Sequence, residues 1–343
     1  MNHDYYMNIC LELAEMGKGN VAPNPMVGSV IVFDEIIIGK GYHEKYGSAH
    51  AEVNAINSVK DSTLLKKSRM YINLEPCSHY GKTPPCSDLI IRKGIPHVII
   101  GTIDNHSKVA GKGIEKLKSA GIKVEVGIKQ KKCLELNKRF HKFHAQGLPY
   151  IILKWAQSKD GFISRTPKDI TNGKSNWITG EKSIEYVHQQ RACEQAILVG
   201  ANTIKTDNPK LTTRGLVGKS PLRVIIASQP LVNKNLNILK DNLPTLIFNK
   251  KLEKKAENKE WILFDGSLIS ILQNLAKRDI HSVIVEGGAN TLNQFISLNL
   301  WDEAHTLIGD VIFNDGITAP QILSNPSLSR KIGEDELIVY NNR

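Results

Sequence analysis

Nowhere in the 343 residues is there an apolar run of the roughly 18 residues that a membrane-spanning helix needs. The N-terminal stretch MNHDYYMNICLELAEMGKG is acidic where a secretory leader would be basic. Both features predict a protein that is neither exported nor inserted in a membrane, and hence a cytoplasmic one. Cysteine is scarce, with five in all, at 10, 77, 86, 133 and 193. So sparse and odd a set does not build a disulfide framework and points to a reducing compartment. Aromatic residues make up only 6% of the chain. The Lys-rich stretches KQKK (129–132) and NKKLEKKAENKE (249–260) lack the interleaved aromatics of a nucleic-acid surface, and the second is studded with Glu. They read as solvated faces, which predicts no nucleic-acid partner, while a net charge of +11 suits a small phosphorylated anion. No G-x-G-x-x-G follows a strand, so a Rossmann fingerprint is excluded. No repeat relates the two halves.

What is present is an ordinary globular composition, 41% hydrophobic and 23% charged, in a chain long enough for two domains. Apolar positions 6, 7, 10, 11 and 14 predict a helix over about 4–17. A Pro-Asn-Pro turn, strands near 27–33 and 36–42 and an Asp-Glu turn between them follow. Helices and strands then alternate to residue 128, which implies a layered α/β unit. A basic helical stretch leads to a boundary near Gly147, giving domains 1–147 and 148–343. The second half alternates again, with 249–260 read as an exposed helix or loop.

The chemistry concentrates in two stretches, SAHAEVNAI (48–56) and LEPCSHYGKTPPCSD (74–88). Zinc favours His nitrogen and Cys sulfur, and a catalytic zinc has three protein ligands and a fourth position open to water. His50, Cys77 and Cys86 supply three such donors. Glu52, two residues beyond His50 at a helix start, is placed to move a proton between that water and a leaving amine. His50-Ala51-Glu52 with Pro76-Cys77 matches the His-x-Glu and Pro-Cys-x-x-Cys signature of zinc deaminases, except that eight residues rather than two separate Cys77 from Cys86. The competing reading of these donors is a closed structural site with His79, His43 or Cys10 as fourth ligand.

APNPMVGSVIV, HAEVNAI and LEPCSHYGKTPPCSDLII together resemble the bifunctional deaminase/reductase family of riboflavin biosynthesis, whose deaminase half has this long loop between its two Cys ligands. The resemblance covers nearly the whole chain. It implies a cytidine-deaminase-like three-layer α/β/α domain followed by a dihydrofolate-reductase-like α/β domain. It implies one zinc on His50, Cys77 and Cys86, proton transfer by Glu52, and Asn24 facing the pyrimidine. The family's usual Asp-Pro-Asn-Pro is here Asp104-Asn105-His106-Ser107.

In the second half, VIVEGGANTL places Gly287 and Gly288 between an apolar strand and a helix, where backbone can approach a phosphate. LKWAQSKDG, SNWITG, AILVGANTIKTDNPKLTTR and VEGGANTL resemble the reductase half of the same family, which uses NADPH. The resemblance implies cofactor contacts at Ala156, Trp177, Thr203, Asp207, Gly288, Ala289, Asn290 and Thr291. It implies substrate contacts at Ser175, Arg191, Leu211, Arg214 and Glu286, with Arg191 and Arg214 as phosphate forks. Lys154 is a candidate proton source beside Asp207. Asn208 stands where a second Asp is common, and Lys159 where a Leu is expected. The expected activity is a zinc-dependent deamination of a phosphoribosylated pyrimidine followed by an NADPH-dependent reduction, and the pattern leaves room for a homo-oligomer. A nucleic-acid base deaminase with an accessory C-terminal domain is the competing function, and a zinc-stabilised scaffold the non-enzymatic one.

Overall fold

A computed structural model describes residues 2–78, 80, 84–104, 110–213 and 219–342. His79, Asn105, His106, Ser107 and Arg214 lie outside the described residues. The chain divides into two compact units, Met1–Leu148 and Pro149–Arg343. Among the described residues no helix is long and apolar enough to cross a membrane.

The first unit runs α1 (His3–Glu15), β1 (Gly28–Phe33), β2 (Ile36–Tyr42), α2 (Ala51–Asn57), a 3-10 turn (Ser62–Lys67), β3 (Arg69–Leu74), α3 (Cys86–Lys93), β4 (His97–Thr102), α4 (Lys112–Ser119), β5 (Lys123–Val126), α5 (Gln130–Leu136) and α6 (Lys138–Gln146). Its sheet has the order β2-β1-β3-β4-β5, with β1 antiparallel to both neighbours and β3, β4 and β5 parallel. Strand alternation sorts the side chains into two layers of core. Ile31, Met70, Ile72, Val98 and Ile100 pack on Ala55, Ile56, Ile90, Ile114 and Leu117 of α2, α3 and α4. Val30, Val32, Tyr71 and Ile99 pack on Met7, Cys10 and Leu11 of α1 and on Cys133 of α5. The result is three layers, α/β/α. The Asp34–Glu35 turn has φ of 47° and 62°, the left-handed pair that a two-residue hairpin requires.

The second unit comprises β6 (Tyr150–Ser158), β7 (Phe162–Ser164), α7 (Pro167–Thr171), α8 (Glu181–Cys193), β8 (Ala196–Gly200), α9 (Ala201–Asp207), β9 (Leu222–Ile226), α10 (Asn237–Lys240), β10 (Thr245–Asn249), β11 (Lys254–Ala256), β12 (Lys259–Leu263), α11 (Leu268–Lys277), β13 (Ser282–Val285), α12 (Ala289–Ser297), β14 (Glu303–Gly309), β15 (Ile317–Thr318), β16 (Leu328–Ile332) and β17 (Asp335–Asn341). Ten strands form one mixed sheet in the order β11-β12-β10-β9-β8-β13-β6-β14-β17-β16. The seven from β12 to β14 are parallel, and antiparallel strands close both edges. Segment 249–260 departs from the expected helix or loop: it contains β11 and the start of β12, turned at Glu257 with φ of 47°. The inward positions of that strand are Lys259 and Trp261. A lysine that buries its stem and bonds Asp241 does not register as an apolar beat, so the period-2 pattern was hidden.

Candidate functional site

In the first unit, two helix starts converge on the end of β3. His50 is the N-cap of α2 and Cys86 is the first residue of α3. Cys77 sits between them in the chain, held by the Cys86 N–H at 3.3 Å from its Sγ and by the Ser87 N–H donating to its carbonyl at 3.1 Å. His50 Nδ1 lies 3.6 Å from Cys77 Sγ and 3.3 Å from Cys86 Sγ. A tetrahedral zinc with Zn–S of about 2.3 Å and Zn–N of about 2.0–2.1 Å separates such donors by about 3.5 Å, so the three atoms already stand at ligand spacing. They form the one group of potential metal ligands found among the described residues. Of the alternative fourth ligands, Cys10 is fully buried with its thiol on the Tyr71 carbonyl, and both ring nitrogens of His43 are engaged elsewhere. The open set of three is what the described residues provide.

Proton chemistry follows from burial. Glu52, in the first turn of α2, is 3% exposed. Burial, and then the negative charge of Cys77, push its carboxyl up to about 7, the range in which a side chain both takes and gives a proton near neutral pH. Cys77 is held down to about 4, first by the hydrogen bond from Cys86 and also by His50, and so is a ready thiolate. His50 is raised, chiefly by its hydrogen bond to Cys77.

One residue of this site has a job that sequence reasoning missed. The Glu75 carboxylate is buried and accepts four main-chain N–H bonds, from Asp104 (3.2 Å), Gly111 (3.0 Å), Gly113 (2.9 Å) and Ile114 (3.3 Å). It ties the segment before α4 to the chain just ahead of Cys77. Gly113 has to be glycine, because a Cβ there would lie 2.2 Å from the Pro76 carbonyl oxygen. The signal was a charged residue ending an apolar strand.

In the second unit the expected residues gather where β8, β13 and β6 end, the place where open α/β sheets bind ligands. Glu286, just past β13, is bonded by Arg191 of α8 through Nε and Nη2, both at 2.7 Å, and by Lys154 of β6 at 3.0 Å. The Arg191 fork expected for a phosphate is thus occupied by a carboxylate, and its Nη1 donates to the Thr212 carbonyl at 3.1 Å. Lys154 is held on Glu286. Burial raises the Glu286 carboxyl, but Lys154 and then Arg191 outweigh it and hold it down to about 2. Desolvation raises Asp207, at the end of α9.

Around this triad the turn Gly288–Thr291 faces α9. A Cβ on Gly287 would lie 2.5 Å from Val199 Cα, and one on Gly200 2.6 Å from Thr291 Oγ1. Gly288 caps α12 at φ of 58°, within reach of Thr203. Ala156 lies two residues along β6 from Lys154, on the same face. Ser175 and Trp177 lie on a neighbouring segment. Trp177 is 63% exposed with its indole N–H on the Thr179 carbonyl, and its main-chain N–H is accepted by Ser175 Oγ at 3.2 Å. That segment is anchored by Gly180 N–H on Asp335 and by Ile178 packed against Gly309. Leu211 takes φ of 55° and buries its side chain with Ile204 and Ile225. Asn208 occupies the left-handed region tolerated by Asn and clasps Asn237 through both side chain and backbone. Arg223, which sequence reasoning passed over inside an apolar strand, is wholly buried; it bonds Asp241 at 2.8 and 2.6 Å and the Lys210 carbonyl at 3.2 Å, backing the loop that carries Leu211.

A three-donor metal site with a buried carboxylate, on a three-layer α/β/α sheet, defines a zinc-type deaminase, and here it shares a chain with a second α/β domain. Residues 1–102 match the cytidine and deoxycytidylate deaminase zinc-binding region, and residues 149–328 match the RibD C-terminal domain. The riboflavin biosynthesis protein RibD of Bacillus amyloliquefaciens is 42% identical over 333 residues, covering 94% of this chain and 88% of its own. That of Aquifex aeolicus is 40% identical over 323 residues, covering 91% and 88%. The crystal structure of a diaminohydroxyphosphoribosylaminopyrimidine deaminase/5-amino-6-(5-phosphoribosylamino)uracil reductase from Thermotoga maritima superposes with a TM-score of 0.89 at 35% identity, covering 99% of this chain and 98% of that one. The chain belongs to the RibD family, the bifunctional deaminase/reductases of riboflavin biosynthesis.

Proposed function

We propose that residues 1–147 hydrolyse the 2-amino group of 2,5-diamino-6-(5-phosphoribosylamino)pyrimidin-4(3H)-one, and that residues 148–343 then reduce the ribosyl group with NADPH to give 5-amino-6-(5-phosphoribitylamino)uracil. The observation that carries this reading is Glu52, buried and poised to exchange protons beside three donors at zinc-ligand spacing. Zinc held by His50, Cys77 and Cys86 would supply the Lewis acidity that activates water. Glu52 takes a proton from the water and returns it to the departing amine, so that one water enters and one ammonia leaves. Asn24 orients the pyrimidine.

In the second unit Ala156, Trp177, Thr203, Asp207 and the Gly288–Thr291 turn hold the nicotinamide cofactor, whose chemistry is hydride delivery. The start of α12, capped by Gly288 at φ of 58°, would offer its free main-chain N–H groups to a phosphate of that cofactor. Ser175, Arg191, Leu211, Arg214 and Glu286 hold the phosphoribosyl group, with Lys154 fixed by Glu286. Hydride reaches the first ribose carbon, its bond to the ring oxygen breaks, and that oxygen gains a proton. Incubating the purified protein with the diaminopyrimidine ribotide while following ammonia release and NADPH absorbance together tests both steps. One ammonia released and one NADPH consumed per substrate is the expected result; either without the other removes half of the reading.

A further inference from the structure

His43 follows β2 and is 3% exposed, yet both ring nitrogens have defined partners. Nδ1 is 3.0 Å from the Ala49 carbonyl oxygen, and Nε2 is 3.1 Å from Asn24 Nδ2. The ring meets that of His50 edge-on, with centroids 5.5 Å apart. A backbone carbonyl can only accept, so Nδ1 must carry the proton, and the neutral ring leaves Nε2 as an acceptor. The Asn24 amide must therefore turn its NH₂ to His43. Its carbonyl Oδ1 has no hydrogen-bond partner among the described residues. The chain of polarity runs one way, from Ala49 through His43 to Asn24, and it ends on a bare acceptor one imidazole away from His50. Both ends are fixed by main chain, since His43 N–H donates to Val27 O at 2.9 Å and Asn24 N–H to Val21 O at 2.9 Å.

We propose that His43 is a positioning residue and the specificity determinant of the deaminase: by locking the Asn24 amide it makes the site accept a hydrogen bond from an N–H donor beside the carbon under attack. This rests on the deaminase reading above, in which the ring N–H next to the 2-amino carbon is that donor. A reversed amide would present NH₂ to that N–H and reject it, because two donors facing each other leave both unsatisfied. Since the contact orients the substrate before and during reaction, its loss falls on KM more than on kcat.

The test uses the full-length zinc-loaded protein. His43→Phe keeps a ring edge toward His50 but has no acceptor; it is expected to raise the deamination KM about tenfold to a hundredfold, with kcat changed less than about threefold, zinc content unchanged and NADPH consumption on deaminated substrate unchanged. His43→Gln, whose amide offers one donor and one acceptor, recovers most of the loss. Because His43 acts through Asn24, His43→Phe made in an Asn24→Ala background costs less than about twofold further. Additive losses, a fall in kcat at constant KM, or equal damage from Phe and Gln would each overturn the proposal. The lock itself is read without turnover by two-bond proton–nitrogen correlation of histidine-labelled protein, with His43 assigned from its disappearance in His43→Phe. A protonated Nδ1 and a bare Nε2 are expected, and a proton on Nε2 overturns the proposal. If wild-type protein releases no ammonia from the ribotide, the substrate reading fails while the ring spectrum still decides the lock.

Discussion

The two candidate sites are built in opposite ways. In the first unit the donors lie within 37 consecutive positions, 50 to 86, and converge because two helices begin where one strand ends. There a low-titrating Cys77 thiolate lies between His50 and Cys86, beside a buried Glu52. In the second unit Lys154, Arg191 and Glu286 span more than a hundred residues and meet only because β13 lies between β8 and β6. That cluster is paired internally but not neutral: two cations on one buried carboxylate leave one positive charge in excess. The first site thus gathers three donors at metal-ligand spacing, whereas the second is an ion-pair network that fixes the orientation of its members.

Metal removal separates them most sharply. A strong chelator is expected to abolish ammonia release, while reduction of already deaminated substrate continues. Loss of both activities with a single cooperative unfolding would show instead that the metal holds the whole chain together. Next in size, Glu52→Gln is expected to keep zinc, measured by metal analysis, and to lower the deamination kcat by about 10² to 10⁴ or more, with the reductase unchanged. Deamination that survives this change would remove Glu52 from the chemistry.

The second site is probed through stability. Glu286→Gln leaves Arg191 and Lys154 buried without their anion and is expected to destabilise the second unit by about 3–5 kcal/mol in urea unfolding at pH 7. The equivalent change at an exposed pair such as Lys159–Asp310 is expected to leave the urea midpoint nearly unmoved, because solvent screens that pair. The pH dependence is expected to be smaller than the loss of the carboxylate itself. The folded Glu286 carboxyl titrates at about 2 against an ordinary 4.5, so its stabilisation is fully present above about 4.5 and is lost as pH falls through about 2. Wild-type unfolding free energy should therefore lose about 3 kcal/mol more across that window than the Glu286→Gln variant does. Parallel acid profiles for the two proteins would show that the triad is not the group responsible.

Legibility followed the same division. His-x-Glu and the two cysteines could be read directly, because helix starts and a strand end are local features and zinc chemistry restricts the donors to few residue types. The Gly-Gly turn after β13 reads as a place where backbone approaches a phosphate, and in the fold Gly287 is excluded from carrying a Cβ by Val199. Arg191 and Lys154 were identified as site residues, but their partnership with Glu286 was not, because no spacing in the chain encodes which strands lie side by side. Glu75 was hidden inside a motif whose cysteines attracted the attention, and Arg223 inside a strand whose other residues are apolar. Glu75 is satisfied by main-chain N–H groups and Arg223 by the Asp241 carboxylate together with main-chain carbonyls, partners that only a folded chain supplies.

By itself, then, the sequence determined the alternation of strands and helices and the identity of the metal-site donors, since both depend on local periodicity and on the chemistry of single side chains. The tertiary structure alone decided which atoms those side chains face: that the Arg191 fork closes on Glu286, that Leu211 turns its side chain into the core, and that His43 fixes the Asn24 amide through Ala49. The physical reason is that a hydrogen bond is directional and short, so its partner is set by strand order and backbone placement to within an ångström, and no residue carries that information in its own name.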